Sequence, residues 1–195
     1  METDLFKNYH IILASGSPRR QEFMRELGIP FEVRLKPIEE LYPDSLSSQS
    51  ITEYLSELKA EAFSNDLKTN EILITSDTLV WHESKALGKP KNTNEAFEML
   101  YALSGKTHEV ITSVTLKSIS KSKTFTEITK VTFDDLKPET IRFYIENYKP
   151  FDKAGAYGIQ EWIGLIGITK IEGSYTNVVG MPMQRVYSEL INFIS

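Results

Sequence analysis

Residues 11–28, IILASGSPRRQEFMRELG, combine the pattern of a strand with that of a helix. The apolar run Ile11–Ala14 is typical of a short buried strand. Ser17 and Pro18 have the residue types preferred at a helix N-cap and at the first helical position, and Gly28 is typical of a helix end. A strand that leads directly into a helix is the repeating unit of α/β proteins.

Strand and helix patterns continue to mix along the rest of the chain. Ser50 and Glu53 have the spacing of a capping box and predict the start of a second helix. The predicted buried stripe of that helix is Ile51, Leu55, Leu58 and Ala62. Further strands are predicted at Phe31–Leu35, Ile72–Trp81, Glu109–Lys117, Thr124–Phe133 and Ile163–Ile171, and further helices at Asn92–Leu103, after Pro138 and after Pro182.

This mixture of elements favours a three-layer α/β fold with a mixed sheet. The length of 195 residues suits one domain that spans residues 1–195.

The helix after Pro138 is predicted to turn four side chains towards the core: Ile141, Tyr144, Ile145 and Tyr148.

The composition excludes several classes of protein. The chain has no cysteine, so it has neither a disulfide scaffold nor a cysteine nucleophile. Its formal net charge of −5 argues against a general nucleic-acid-binding protein, which needs a basic face. The first apolar run is too short for a signal peptide or a membrane span. We therefore expect a cytoplasmic protein with no nucleic-acid and no membrane partner.

The segment Ser15–Arg20 is a candidate anion site, because it lies where a strand passes into a helix. A helix N-terminus presents free N–H groups and the positive end of the helix dipole. Arg19 and Arg20 stand in the first turn, where cations are unfavourable next to that dipole. Either a bound anion compensates for this placement, or the helix is simply capped and both arginines point into solvent.

Asp77 is an acidic residue in the middle of the otherwise apolar pattern Ile72–Trp81. A buried carboxylate is costly unless it is paired or binds a metal. The strand therefore either brings Asp77 to a ligand site, or carries it at a bulge or strand end where a backbone N–H group pairs with it.

Other charged residues have weaker patterns. Lys59 falls at the edge of the predicted helical stripe, where a lysine usually extends to water but could also reach a phosphate. Glu40, in the acidic pair Glu39-Glu40, offers an oxygen ligand to a hard cation, although such pairs are usually solvated. Lys89 and Lys153 lie in glycine-containing loops, which let the backbone approach a ligand closely but also form ordinary turns.

Two further patterns do not support a function. The tripeptide Gly105–Thr107 is similar to the end of a P-loop, but Leu100 occupies the position where that motif requires its first glycine. The histidines, His10, His82 and His108, lack the spacing of a metal site.

Five sequence blocks, taken in order, resemble the Maf family. They are LASGSPRR at 13–20, SDTLV with LGKP at 76–80 and 87–90, LSGKTHEVIT at 103–112, DKAGAYGIQ at 152–160 and IEGSYTNVVGMP at 171–182. The resemblance extends from about residue 11 to the C-terminus. It implies the fold of the inosine triphosphate pyrophosphatases, in which a mixed central sheet is flanked by helices and two lobes surround a deep cleft.

The resemblance also implies an activity and a set of site residues. The implied reaction is hydrolysis of a nucleoside triphosphate between its α and β phosphates, with a role in clearing modified nucleotides. Asp77 and Lys89 are implied as catalytic residues. Glu40 and Asp77 are implied as ligands of a divalent cation, Mg²⁺ with Mn²⁺ or Co²⁺ as alternatives. The implied substrate-binding residues are Ser15, Arg19, Arg20, Lys59, Lys153 and Gln160.

Within the family, Gln160 matches the glutamine of the branch that prefers dTTP and UTP. Three positions depart from the family pattern: Ser76 replaces an alanine, Glu161-Trp162 replaces a glycine-rich continuation, and Met181 replaces a leucine. Glu161 and Trp162 border the implied base pocket.

Two alternatives remain beside the dTTP/UTP prediction. One is a 7-methyl-GTP pyrophosphatase, and the other is a nucleotide-binding regulator of septum formation in which hydrolysis is secondary. The family also implies a homodimer.

Overall fold

The computed structural model describes residues 5–195 and contains, within that range, seven strands and seven α-helices. Their order is β1 (His10–Leu13), α1 (Pro18–Glu26), β2 (Phe31–Val33), α2 (Gln49–Glu61), β3 (Glu71–His82), β4 (Lys85–Leu87), α3 (Thr93–Leu103), β5 (Thr107–Lys117), β6 (Ser122–Phe133), α4 (Pro138–Tyr148), α5 (Trp162–Gly167), β7 (Ile168–Glu172), α6 (Tyr175–Val179) and α7 (Met183–Ile194). A 3₁₀ turn covers Ala154–Ala156. Among the helices of this range, none combines the length and the apolar character needed to span a bilayer.

The strands form one mixed sheet. Strands β2, β1, β3, β5, β6 and β7 are neighbours in that order, and β4 pairs with β3. Strand β1 is parallel to β2 and to β3, so that Ile11 lies opposite Phe31 on one side and Ile72 on the other. Strand β7 is antiparallel to β6, with Val131 opposite Ile171. The predicted mixed sheet is confirmed.

Strands β5 and β6 are joined by a short turn. Their cross-strand hydroxyl contacts run in opposite directions along the two strands: Ser113 Oγ lies 2.8 Å from Thr126 Oγ1, and Thr115 Oγ1 lies 2.9 Å from Thr124 Oγ1. The partner's residue number falls along β6 as the number rises along β5, so the two strands form an antiparallel hairpin.

The chain divides into two compact units. Unit 1 comprises the described residues up to Asp77, together with Thr112–Thr126 and Gly180–Ser195. On one face of its strands, Ile11, Leu13 and Ile74 pack with residues of α1 and α7. On the other face, Ile12 and Leu73 pack with Ala60 and Phe63, at the end of α2. This alternation follows the period of two along a strand and gives unit 1 three layers.

Unit 2 comprises Thr78–Ile111 and Glu127–Val179. Its core is built from α3, α4 and α5 around strand residues such as Val131 and Phe133. Helix α3 starts within one residue of its predicted start, and Asn92 caps it, because the side-chain oxygen of Asn92 accepts a hydrogen bond of 2.9 Å from the backbone N–H of Glu95.

The predicted start of α2 was wrong. The helix begins at Gln49, and the Ser50 hydroxyl donates to the Ser47 carbonyl at 2.6 Å instead of capping the helix. Ala62 is exposed. The buried residues of the helix are Ile51, Thr52, Leu55, Ser56 and Ala60. Two polar residues are buried there because partners are available: Thr52 Oγ1 lies 2.7 Å from Ser113 Oγ, for example.

The predicted strand Ile163–Ile171 was also wrong in its first half, which forms helix α5. A short apolar run is compatible with either a strand or a buried helix, and its periodicity does not separate the two. Packing on the preceding turn favours the helix: a Cβ atom on Gly164 would lie 1.8 Å from the carbonyl oxygen of Ile159. Only the absence of a side chain at Gly164 allows this approach.

Candidate functional site

Ser15 lies two residues after the end of β1 and is 7% exposed. Its hydroxyl accepts a hydrogen bond of 3.3 Å from the backbone N–H of Ser17, and its carbonyl accepts one of 3.1 Å from the Gln21 side chain. Ser17 occupies the predicted N-cap of α1, but within residues 5–195 its side chain makes no capping hydrogen bond. The first turn of α1 is therefore ordered by Ser15 rather than by the predicted cap.

Arg20 turns back towards β3 instead of pointing into solvent. Its Nε donates to the Gly180 carbonyl at 2.9 Å, and its Nη1 donates to the Ser76 carbonyl at 3.0 Å. Burial lowers the pKa of Arg20, the charge of Asp77 opposes this effect, and the charge of Arg19 adds to it. The solvent-facing alternative is thus wrong for Arg20, which is held beside a carboxylate.

Asp77 lies in the middle of β3 and is 8% exposed, so the alternative of a strand-end aspartate is wrong. Its Oδ1 accepts a hydrogen bond of 2.6 Å from Lys59 Nζ. The same ammonium group lies 2.9 Å from Glu40 Oε1. One positive centre therefore contacts both of the predicted acidic residues, and this pairing offsets the cost of burying Asp77.

These two carboxylates are chemically suited to a divalent cation. Both are hard oxygen donors, and the position of Lys59 Nζ demonstrates that a single cationic centre can contact them together. Across the described range, no group of three or more His, Cys, Asp or Glu side chains is placed to hold a metal ion. A cation here would take its remaining ligands from water and substrate phosphates, as Mg²⁺ commonly does.

The other three predicted site residues, Lys89, Lys153 and Gln160, lie in unit 2. Lys89 is exposed and follows Gly88, whose carbonyl accepts a hydrogen bond of 3.1 Å from Gly155 N–H. Gly155 has a φ of 68°, which favours glycine. The backbone contact ties the Lys89 loop to the loop that carries Lys153.

Lys153 is buried, and its charge is matched by two acids. Its Nζ lies 2.7 Å from Asp152 Oδ1 and 3.0 Å from Glu161 Oε1. Gln160, by contrast, is exposed. Substrate binding by Lys153 and Gln160 stays a prediction, and Lys153 would have to share its ammonium group with its present partners.

Two residues of this region were missed as functional candidates. The Tyr144 hydroxyl donates a hydrogen bond to Glu161 Oε2 and accepts one of 3.0 Å from Gly158 N–H. Burial raises the pKa of Tyr144, and the hydrogen bond with Glu161 raises it further by a smaller amount. The helical pattern marked Tyr144 only as a core residue, and Glu161 was noticed only as a departure from the family pattern.

Comparison with known proteins identifies the family of this chain. The family model described as "Maf-like protein" matches residues 10–193. A dTTP/UTP pyrophosphatase of Flavobacterium psychrophilum is 62% identical over 187 residues, which cover 96% of each chain. A protein of the same name from Flavobacterium johnsoniae is 57% identical over 194 residues, covering 100% of each chain.

A solved structure is similar in fold. The Staphylococcus aureus Ham1 protein superimposes with a TM-score of 0.50, at 17% sequence identity, over 92% of this chain and 99% of that one. At this identity the likeness establishes the shared fold alone.

Proposed function

This chain belongs to the Maf family, and from that premise we propose that it is a nucleoside triphosphate pyrophosphatase acting on dTTP and UTP. Water adds to the α phosphorus, the bond from that phosphorus to the bridging oxygen breaks, and the products are a nucleoside monophosphate and pyrophosphate. The observation that carries the proposal is the buried Asp77 in the middle of β3, held on one ammonium group together with Glu40.

The cationic side chains have the task of neutralising the triphosphate. Arg19 and Arg20 lie in the first turn of α1, whose N–H groups also attract anions. Arginine contacts phosphate oxygens with two parallel N–H groups, which fixes orientation as well as charge. We assign Ser15, Arg19, Arg20 and Lys59 to phosphate binding, and Lys89 to charge stabilisation during the reaction.

Asp77 is assigned as the group that accepts the proton of the attacking water. It is buried and oriented by Lys59, so its carboxylate is held in one position, as a general base requires. A divalent cation on Glu40 and Asp77, with Mg²⁺ as the first choice, would lower the pKa of a bound water and neutralise phosphate charge.

Gln160 is assigned to recognition of the base. Its amide offers a donor and an acceptor side by side, which matches the N–H and C=O groups on the edge of uracil or thymine. Its exposure on the surface of unit 2 leaves the amide available to a ligand.

We further propose a homodimer, because the family resemblance implies one and apolar side chains are exposed on unit 2, including Leu165 at 80%. A cytoplasmic location is proposed because nucleoside triphosphates are used there.

The proposal is tested by product analysis of the purified protein. It is incubated with Mg²⁺ and, separately, with dTTP, UTP, CTP, dATP, GTP and 7-methyl-GTP, and pyrophosphate is distinguished from single phosphate. We expect pyrophosphate mainly from dTTP and UTP. Pyrophosphate mainly from 7-methyl-GTP would contradict the branch assignment but not the reaction. Nucleotide binding without any release would instead favour a regulatory binding protein.

A further inference from the structure

The assigned base-reading residue, Gln160, lies in a tight turn of unit 2. The turn covers residues 158–161 and is closed by a hydrogen bond of 3.0 Å from Glu161 N–H to the Gly158 carbonyl. Helix α5 begins immediately after it, at Trp162. Gln160 is the exposed residue of the turn, whereas the preceding Ile159 is buried. The backbone of this turn therefore determines where the Gln160 amide is presented.

One phenol oxygen holds both ends of this turn. The Tyr144 hydroxyl accepts a hydrogen bond from Gly158 N–H at 3.0 Å and donates one to the Glu161 carboxylate. The Tyr144 side chain is itself fully buried, in the middle of α4, so its position is set by the core of unit 2. A rigid helix thus fixes the first and last residues of the turn.

Glu161 is fixed from a second direction. Its other carboxylate oxygen lies 3.0 Å from Lys153 Nζ. The space inside this cluster is filled, since a Cβ atom on Gly158 would lie 2.9 Å from Glu161 Cδ and 3.1 Å from Lys153 Cε. Glu161 stands at the N-cap position of α5 but makes no capping hydrogen bond with its side chain. Its carboxylate serves the contacts with Tyr144 and Lys153 instead of the helix.

We propose that Tyr144, acting with Glu161, is a positioning residue that sets the base selectivity of the enzyme through Gln160. Uracil and thymine present an N–H and a C=O group where cytosine presents an acceptor and an amino group. A glutamine amide can satisfy either pattern, because a half-turn of the amide exchanges its C=O acceptor and its NH₂ donor. Discrimination therefore requires that both the place and the end-for-end orientation of the amide be held along the base edge, and the proposal assigns the first of these to the anchored turn. The proposal rests on the proposed function.

The test compares Tyr144→Phe with Tyr148→Phe. Tyr148 lies one helical turn further along α4, stacks on Tyr144 at 5.2 Å between ring centroids, and is 39% exposed. For each variant, kcat and KM are measured with dTTP and dCTP. We expect Tyr144→Phe to raise KM for dTTP about tenfold, with kcat nearly unchanged, so that the preference for dTTP over dCTP falls by the same factor. Tyr148→Phe is expected to match the wild type.

Two additional variants separate positioning from stability. In a double-mutant cycle with Gln160→Ala, the Tyr144 substitution is expected to cause no further loss of preference, because both changes act on the same contact. Glu161→Gln keeps an acceptor for Tyr144 and loses the charge facing Lys153, so it is expected to retain most of the preference.

The outcomes are distinguishable. The first case is a wild type that is active and selective for dTTP. If its Tyr144→Phe variant keeps the preference, or loses kcat equally for both substrates, the positioning role is overturned and the proposed function stays intact. Additive losses in the cycle also overturn it. If Tyr144→Phe does not fold, a Glu161→Ala variant that keeps the full preference overturns it. A wild type that releases no pyrophosphate from any nucleotide refutes the proposed function itself.

Discussion

Lys59 brings two acids of unit 1 onto one ammonium group, with Asp77 at 2.6 Å and Glu40 at 2.9 Å. The side chain of Asp77 is 11% exposed and that of Glu40 is 51% exposed, so the two acids differ in their access to water. The buried acid is the one on a central strand, where its position is fixed by the sheet. This difference supports the assignment of proton transfer to Asp77 and of cation binding to the pair.

The Asp77→Asn variant tests this assignment. Asparagine keeps the size of the side chain and an oxygen that can accept from Lys59, but it can neither carry the charge nor accept the proton. We expect turnover of dTTP to fall by at least about 100-fold while nucleotide binding persists, measured by pyrophosphate release and by equilibrium titration.

Asp66→Asn is the matched control, because Asp66 is a surface acid of the same unit that pairs with Lys36. It is expected to keep full turnover. Wild-type rates in the Asp77→Asn variant would refute the catalytic role, and loss of nucleotide binding in a folded variant would indicate that Asp77 mainly holds the site together.

At the scale of elements, an ion-pair cluster joins the end of β2 to the start of β3. Arg34, just after β2, places its Nη2 3.0 Å from Glu71 Oε1, and it also contacts Glu32. Glu71 is 3% exposed and accepts a further hydrogen bond of 2.9 Å from Lys68 N–H. The hydrogen bond from Arg34 lowers the pKa of Glu71 against the opposing effect of burial, and Arg34 with His10 lowers the pKa of Glu32 to about 2.

Glu71→Gln is predicted to destabilise the protein in a pH-dependent way. A carboxyl group whose pKa is lower in the folded than in the unfolded state stabilises the fold above its unfolded pKa, and this contribution is lost as the pH falls through the folded pKa. We expect Glu71→Gln to cost about 2 kcal/mol of unfolding free energy at pH 7. The difference from the wild type should shrink below about pH 4.5.

Urea unfolding at pH 7 and at pH 3 measures this difference. Glu22→Gln is the control, since Glu22 forms an exposed pair with Arg25 within α1 and is expected to contribute no more than about 0.5 kcal/mol. A deficit of Glu71→Gln that stays constant between the two pH values would contradict an ionic origin.

At the scale of the whole molecule, unit 2 carries a group of apolar side chains, which we call the α5 patch: Phe143, Trp162, Leu165 and Ile166. Trp162 is half-buried, and the other three are exposed. Phe143 of α4 and Trp162 of α5 have ring centroids 4.8 Å apart, so the two helices contribute to one surface. Leu165 is 80% exposed and Ile166 is 46% exposed. A group of exposed apolar side chains of this kind is typical of an interface between proteins.

We predict that the α5 patch is the contact surface of the proposed homodimer. Sedimentation of the wild type should give twice the chain mass of 22.3 kDa, and Leu165→Glu should give the single-chain mass. Ile119→Glu, at a residue of the β5–β6 turn that is 55% exposed, should leave the dimer intact. A monomeric wild type would refute the dimer, and a dimeric Leu165→Glu variant would refute this surface.

Much of the fold is predictable from local patterns because neighbouring residues carry them. The predictions of the strand at Ile11, the start of α1 at Pro18, the start of α3 at Asn92 and the last helix after Pro182 agree with the structure within one or two residues. The order of the five blocks also identifies the family without any tertiary information. The period of side chains along a strand or helix depends only on the local backbone, so a single sequence reveals it.

The remaining features depend on which distant residues meet, and only the tertiary structure determines this. Lys59 and Asp77 are 18 residues apart in sequence, and Tyr144 and Glu161 are 17 apart. Helix α5 forms from an ambiguous apolar run because Gly164 packs against a preceding carbonyl. Thr52 can be buried because its hydroxyl forms a hydrogen bond with the Ser113 hydroxyl on β5. The sequence by itself determined most of the elements and the family. Packing decided the partners of the polar groups and therefore their burial, because burying a polar group without a hydrogen-bond partner is costly.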